Sequence, residues 1–494
     1  MKKINLMVLI ALIAYGCAHK PIVTEKRINS MTSADLIYLG VIAPPIGSDL
    51  HHNFARGSIR CSYVPSNLCS FTVSGQTVND PSPNDGYPGC IICNSHPDLD
   101  YISAFEIKPP AIVSASDRTA SYWTNSLPHG ATVLPWMDCT GGIMDKYKAA
   151  TRGNFDIASA IILPNGDGLC QFYDWYNTGA TDYPSAVWFT PNPIAPNVQG
   201  PYNWGPTGND VYHVNKTGAN LGLIPKAFSD AYLSGKGHQF CFVGYNRGGS
   251  GGQKSSPGPT LYAFDCESRP GIAQPGPITA VTPLLYYFQR QNAYDNEPLM
   301  PGHTPKDECV DQVWINYQNK RGVLASCVKG GPYWWYGMPD PSTDPKAQRN
   351  GCLWNGGAPI WNSRVYGKTA GADCSTEWYA WGPSIAGKKD GGSKGYHAVY
   401  GEFPLYHAEL VFYDEDELRE VAMGTRKPTN VHRNVILDNP PELWSIGGNT
   451  AYGYGGIAFD STNGLLYLMQ RAGAGDWPVM HVYQLNGGVG EQIQ

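Results

Sequence analysis

Toward its C-terminus the chain falls into three apolar runs separated by turn residues. Gly455-Gly456-Ile457-Ala458-Phe459-Asp460 predicts a strand, Ser461-Thr462-Asn463-Gly464 a tight turn whose Asn-Gly pair suits positive φ, and residues 465–470 the returning strand. After a glycine-rich loop, residues 478–485 predict a third strand and complete a meander. Degenerate copies precede it. Residues 57–63, the turn Pro65-Ser66-Asn67 and residues 68–74 form a hairpin that 101–107 closes. Residues 158–163, the turn Asn165-Gly166-Asp167-Gly168, residues 169–175 and 186–189 repeat the pattern. Residues 238–245 with 260–265 make a third copy. Residues 313–317 with 322–328 start a fourth, which 408–413 closes after an insertion of roughly 70 residues. Short helices are predicted over 223–233 and over 415–422, the latter capped by Asp414.

A meander with two apolar faces cannot bury both alone, but copies set face to face around an axis can. The reading is therefore all-β, a β-propeller of five to seven blades with loop insertions, over residues 34–486 with an insertion around 337–400. The blade number stays open because 111–150 and 270–300 are poorly patterned and have room for further blades. Tandem β-sandwiches are the competing architecture.

Composition agrees with short strands and many turns. The 494 residues include 57 Gly and 40 Pro, the two poorest helix formers, with 31 Tyr and 14 Trp. A net charge of -6 with no basic stripe argues against a nucleic-acid partner.

The N-terminus changes the picture of where the protein works. Lys2 and Lys3 precede an apolar run over 4–15 that is too short to span a bilayer, which takes roughly 20 residues. Ala14-Tyr15-Gly16-Cys17 resembles the lipobox of bacterial lipoproteins. That resemblance implies removal of residues 1–16, a diacylglyceryl thioether on Cys17 and acylation of the new terminus, so that membrane lipid is a partner. Ala18 and His19 after the cysteine favour the outer membrane, facing periplasm or exterior, and the polar stretch within 17–33 suits a tether.

Cys17 aside, the remaining cysteines of the 13 make an even set, as a disulfide framework in an exported chain would. The candidates are Cys61, Cys69, Cys90, Cys93, Cys241, Cys266, Cys309 and Cys327. Local pairing suggests Cys61 with Cys69, Cys241 with Cys266 and Cys309 with Cys327. Cys90-Ile91-Ile92-Cys93 has the spacing of a redox pair or half a zinc site, but its flanks, Pro88-Gly89 and Asn94-Ser95-His96-Pro97, read as loop, and disulfides explain it better. No metal and no cofactor are expected. His51, His52, His96, His303 and His407 lack ligand spacing, and Gly248 to Ser255 lacks the residue order of a phosphate loop. Asp265, Asp414 and Asp460, at strand ends, suit turn capping.

Tyr333-Trp334-Trp335-Tyr336 resists a plain core reading, because alternate strand residues point to opposite faces. These four rings are the candidate ligand-binding surface for a sugar or an apolar peptide. Asp35 to Gly40, Val313 to Tyr317, Tyr333 to Gly337, Gly456 to Asp460 and Pro478 to Tyr483 resemble segments of bacterial secreted β-propeller proteins with no assigned activity. The resemblance implies the fold and supplies no catalytic residue.

The leading functional expectation is an envelope-attached protein that binds a glycan or protein ligand without catalysis. The alternatives are a carbohydrate-active propeller enzyme with paired carboxylates, Asp311 or Glu409 among them, and a structural envelope scaffold. The pair would stand about 5 to 9.5 Å apart.

Overall fold

Apolar runs without alternation become the middle strands, because both faces of each sheet are covered. Cys90–Asn94, Ile102–Glu106 and Phe240–Gly244 are buried at every position. The peripheral strand Asn434–Asp438 buries only Ile436. The computed structural model describes residues 31–46, 60–73, 76–78, 85–94, 101–143, 145, 155–174, 186–204, 220–233, 237–244, 246–247, 259–267, 277–278, 281–285, 308–330, 351–353, 359–361, 372–373, 406–438, 440–444, 453–474 and 477–486.

These strands build an all-β, five-bladed propeller with loop insertions. From the axis outward, blade 1 holds Cys61–Val64, Cys90–Asn94, Ile102–Glu106 and Thr132–Met137. Blade 2 holds Phe155–Ile162, Gly168–Asp174, Ala186–Phe189 and Val198–Trp204. Blade 3 holds Asn220–Leu223, Phe240–Gly244, Leu261–Asp265 and Val281–Leu285. Blade 4 holds Glu308–Tyr317, Lys320–Gly330, Tyr406–Asp414 and Asn434–Asp438.

Blade 5 draws on both ends of the chain. Tyr454–Asp460, Leu465–Ala474 and Trp477–Leu485 are completed on the outside by Leu36–Ile42, antiparallel, with Leu36 opposite Leu485 and Ile42 opposite Met480. The first strands of successive blades pack on one another in a closed ring. Apolar clusters fill the seams: Phe242 and Trp314 meet between blades 3 and 4, Ile92 and Phe172 between blades 1 and 2. Gly464, at φ +69°, also serves a seam, since a Cβ there would stand 2.5 Å from the Tyr317 ring of blade 4.

Among the described residues, those within 111–150 and 270–300 form no further blade: Thr132–Met137 and Val281–Leu285 are the outer strands of blades 1 and 3, and Pro277–Ile278 pairs with the outer strand of blade 2. The second strand of blade 1 is also displaced from expectation. Phe71–Val73 pairs with Gln76–Val78 in a separate ribbon, and Cys90–Asn94 takes its place beside Cys61–Val64. Pro88-Gly89 and Asn94-Ser95 made that stretch look like loop, yet Ile91 and Ile92 each face a different apolar cluster and hold it as a strand. Helices form at Lys226–Tyr232 and at Glu415–Ala422, where Asp414 Oδ1 accepts from the Asp416 N–H. A third helix, Ala120–Ser126, was not legible in the sequence. Its Trp123 donates to the Pro478 carbonyl at 2.9 Å and stacks on Trp477. Between the second and third strands of blade 4, Gly351–Leu353, Pro359–Trp361 and Ala372–Asp373 form a small sheet of their own.

The disulfides lie within blades. Cys241 is bonded to Cys266, and Cys309 to Cys327 directly across the ladder with Cα atoms 4.0 Å apart. The pairing of Cys61 with Cys69 does not occur. Cys61 bonds its cross-strand neighbour Cys93 instead, and Cys69 bonds Cys90. The reason is geometric: Cys61 starts the strand, Cys69 follows its far end, and three steps of extended chain put about 10 Å between the two rims. The same span keeps Cys90 from bonding Cys93, which removes the redox and zinc readings of that motif.

Candidate functional site

The first strand of each blade lines the axis, and in blade 4 the short strand Asn246–Arg247 pairs with the axial edge of that strand at Cys309 and Glu308; other backbone N–H and C=O groups along these edges take side-chain partners. Buried backbone groups of this kind need acceptors and donors from elsewhere. Arg60 and Asp311 supply them. Asp311 Oδ2 accepts from the N–H of Cys61 in blade 1 at 3.0 Å and of Ile457 in blade 5 at 3.1 Å, while Oδ1 accepts from Gln312 N–H. Arg60 donates from Nε to the Val310 carbonyl at 2.9 Å and from its guanidinium to the Ala158 carbonyl of blade 2. Asn94 adds a third tie, accepting from Arg60 N–H and donating to the Ile157 carbonyl. Four of the five blades are thus stitched together by three side chains.

Burial dominates the chemistry of this cluster. Asp311 is 1% exposed, and desolvation pushes its carboxyl up to about 7, against the three backbone N–H groups and the nearby Arg60 charge that favour ionisation. The acid therefore keeps its proton at pH values where an ordinary aspartic acid has lost it.

Beside this cluster a cavity of about 420 Å³ opens along the axis, and all five blades line it. Gln312 and Ile457, respectively next to and hydrogen-bonded to Asp311, form part of its wall. Its aromatic lining residues are Tyr63, Trp314 and Phe459, and neutral polar ones include Asn67, Gln239, Asn316, Ser461 and Thr462. Each ring is fixed from behind. Tyr63 donates to the Pro88 carbonyl and stacks on Tyr467 with an interplanar angle of 8°. The Trp314 indole N–H donates to Glu415 Oε2 at 2.9 Å, the first residue of the helix that Asp414 caps. Burial raises the Glu415 carboxyl above its ordinary value, although the indole bond favours the charge. Phe459 meets the edge of Tyr317.

The sequence candidates divide. Asp311 stands at the axis. Glu409 does not: it lies on the third strand of blade 4, two strands outward, and pairs with Arg433. The carboxylate pair is not assembled from these two residues, because Glu409 sits about 10 Å of sheet away from the axial strand and its charge is already matched. Tyr333, Trp334, Trp335 and Tyr336 lie outside the described residues, as do Cys17, His51, His52, His96, His303 and the glycine-rich segment at 248–255. His407 falls on the third strand of blade 4. Asp460 accepts from the N–H groups of Thr462 and Asn463, and Asp265 from that of Glu267, so both shape turns. Tyr63, Trp314 and Asn316 were missed as wall residues. Their one sequence signal was position, at or near the end of a first strand, which identifies an axial residue only once the ring is known.

No known protein-family model matches the sequence, and comparison with curated proteins finds no relative. Among solved structures, the chain is similar to a provisionally assigned glycosidase from Bacteroides thetaiotaomicron, with a TM-score of 0.36, 9% identity and coverage of 93% of this chain and 94% of that one. A provisionally assigned glycoside hydrolase from Parabacteroides distasonis aligns with a TM-score of 0.35 and 11% identity, over 92% and 99%. A glycosyl hydrolase from Bacteroides ovatus aligns with a TM-score of 0.33 and 9% identity, over 93% and 97%. No helix among the described residues is long and apolar enough to cross a membrane. These neighbours are named for glycoside cleavage, and the expectation of a ligand-binding protein without catalysis is withdrawn.

Proposed function

We propose that the protein is a carbohydrate-active enzyme that receives a sugar unit in the axial cavity. The observation that carries this reading is the cavity wall itself. Sugar C–H faces stack on aromatic rings, and sugar hydroxyls pair with amides and hydroxyls, and Tyr63, Trp314, Phe459, Asn67, Asn316 and Ser461 provide that mixture. The described lining contains no carboxylate and one cation, Lys226, which suits a neutral ligand.

The test is binding and turnover of a panel of aryl glycosides and oligosaccharides by wild type and Tyr63→Ala, which removes a ring from the cavity wall. The expected result is cleavage of at least one sugar and binding of that sugar weakened roughly tenfold in the variant. The reading fails if no glycan is bound or cleaved, or if Tyr63→Ala binds the sugar as wild type does.

We also propose that the propeller is held at a bacterial envelope through an acylated Cys17, with residues 17–33 as the tether. The charged-then-apolar leader and the small residues before Cys17 support this. Palmitate labelling should disappear in Cys17→Ala, and equal labelling of both chains would exclude the anchor.

A further inference from the structure

We propose that Cys139 and Cys170 form a fifth disulfide, one that joins blade 1 covalently to blade 2. Of the cysteines on the main strands of the blades and in the turns beside them, these two stand outside the four intra-blade bonds. Neither has any exposed surface, both are free thiols in this structure, and both belong to the apolar cluster that fills the seam between these blades, where the Cys170 thiol neighbours that of Cys139.

Both backbones are held at this approach. Cys170 sits on the second strand of blade 2 with Ala160 opposite on one side and Val187 on the other. Cys139 follows the outer strand of blade 1 in a turn that Asp138 pins, accepting from Thr140 N–H at 2.7 Å and from Gly142 N–H at 2.8 Å. That turn is pressed onto blade 2, where a Cβ on Gly141 would stand 3.0 Å from the Val198 side chain. Burial and the neighbouring thiol push the Cys139 thiol up, which disfavours the thiolate a nucleophile or metal ligand would need. The covalent product of such a buried thiol pair across a seam is a disulfide.

The bond forms by exchange with a disulfide-carrying protein oxidant. The thiolate of one cysteine attacks the oxidant's disulfide, and the second cysteine resolves the mixed disulfide. The Cys139–Cys170 bond is made, the oxidant's disulfide is reduced to two thiols, and these take up the two protons. Because both sulfurs are buried in the finished seam, exchange takes place while blade 2 docks on blade 1.

The test uses the mature protein, exported and purified without reductant, in which the four intra-blade bonds are intact. It is denatured, alkylated and digested, and its peptides are weighed. The expected result is a Cys139 peptide joined to a Cys170 peptide, with alkyl label on neither. Label on both residues, or either one bridged to a different cysteine, overturns the proposal. The readout is made on the wild-type chain, so it does not depend on a variant folding.

Discussion

Blade 4 and blade 5 are neighbours in the ring and are held together by different means. The four main strands of blade 4 run in one stretch apart from its insertion, with Asn246–Arg247 paired at the axial edge, and Cys309–Cys327 staples its first two strands. Blade 5 has no cysteine among its four strands, and its outer strand comes from the opposite end of the chain. In place of a staple it has a buried polar network: His481 Nε2 meets Gln470 Oε1 at 3.0 Å, and Gln470 both accepts from Trp444 N–H and donates to the Trp444 carbonyl. Tyr38 on the closing strand reaches the other ring nitrogen of His481. A disulfide raises the free energy of the unfolded chain locally, whereas the closing ladder couples the two chain ends and so the stability of all five blades.

The largest effect should come from removing Leu36–Ile42. Val41 and Ile42 have no exposed surface, and their loss would uncover Val482 and Met480 along an unpaired strand edge. The expected outcome is loss of a single cooperative denaturant transition and early proteolysis across all blades, with partial recovery when a peptide of residues 32–43 is added. A truncated chain that melts once, near the wild-type midpoint, would show that the ring does not depend on its closure.

The next effect separates the axis from the closing blade through pH. Asp311 titrates near 7 in the folded protein and near 4 when unfolded, so its contribution to stability is complete below pH 4 and declines by about 1.4 kcal/mol per unit up to pH 7, roughly 4 kcal/mol in all. His481 has the opposite sign. Burial lowers its folded value to about 3, so its contribution is complete above about pH 6.5 and is lost as the pH falls toward 3. Between pH 4 and 6.5 the two slopes cancel in the wild type. Asp311→Asn should unmask stability that rises with pH in this window, and His481→Gln stability that falls with pH. Denaturation midpoints at half-unit steps measure both, and parallel profiles in the two variants would refute the assignment.

What the sequence revealed and hid follows the same division. The first, second and third strands of blade 5 and the middle strands of blades 2 and 4 were legible because runs such as Leu465 to Gln470 and the Asn463-Gly464 turn carry their signal locally. That Leu36–Ile42 belongs to blade 5 was not, since its partner Trp477–Leu485 is more than 400 residues away and no local pattern specifies the pairing. Asn220–Leu223 escaped for a different reason: four residues flanked by Ile224-Pro225 give too short a run to show a period. At the site, Asp311 was selected for its chemistry, but its role depends on two backbone N–H groups, those of Cys61 and Ile457, contributed by blades that only the closed ring brings to it.

The smallest of these effects tests the local half of the comparison. Cys309 and Cys327 close a loop of 18 residues, and replacing both with alanine should lower stability by about 3 kcal/mol through the restored freedom of the unfolded chain. Their strands remain paired from Glu308 to Lys320, and Ser326 still donates to the Asp311 carbonyl, so the native contacts around the axis persist. The double variant should therefore unfold in one transition at a lower midpoint, with blade 4 leaving no earlier than the others. If instead blade 4 exchanges its amide hydrogens ahead of the remaining blades, the staple and not the ring holds that blade, and closure by Leu36–Ile42 loses its place as the dominant coupling.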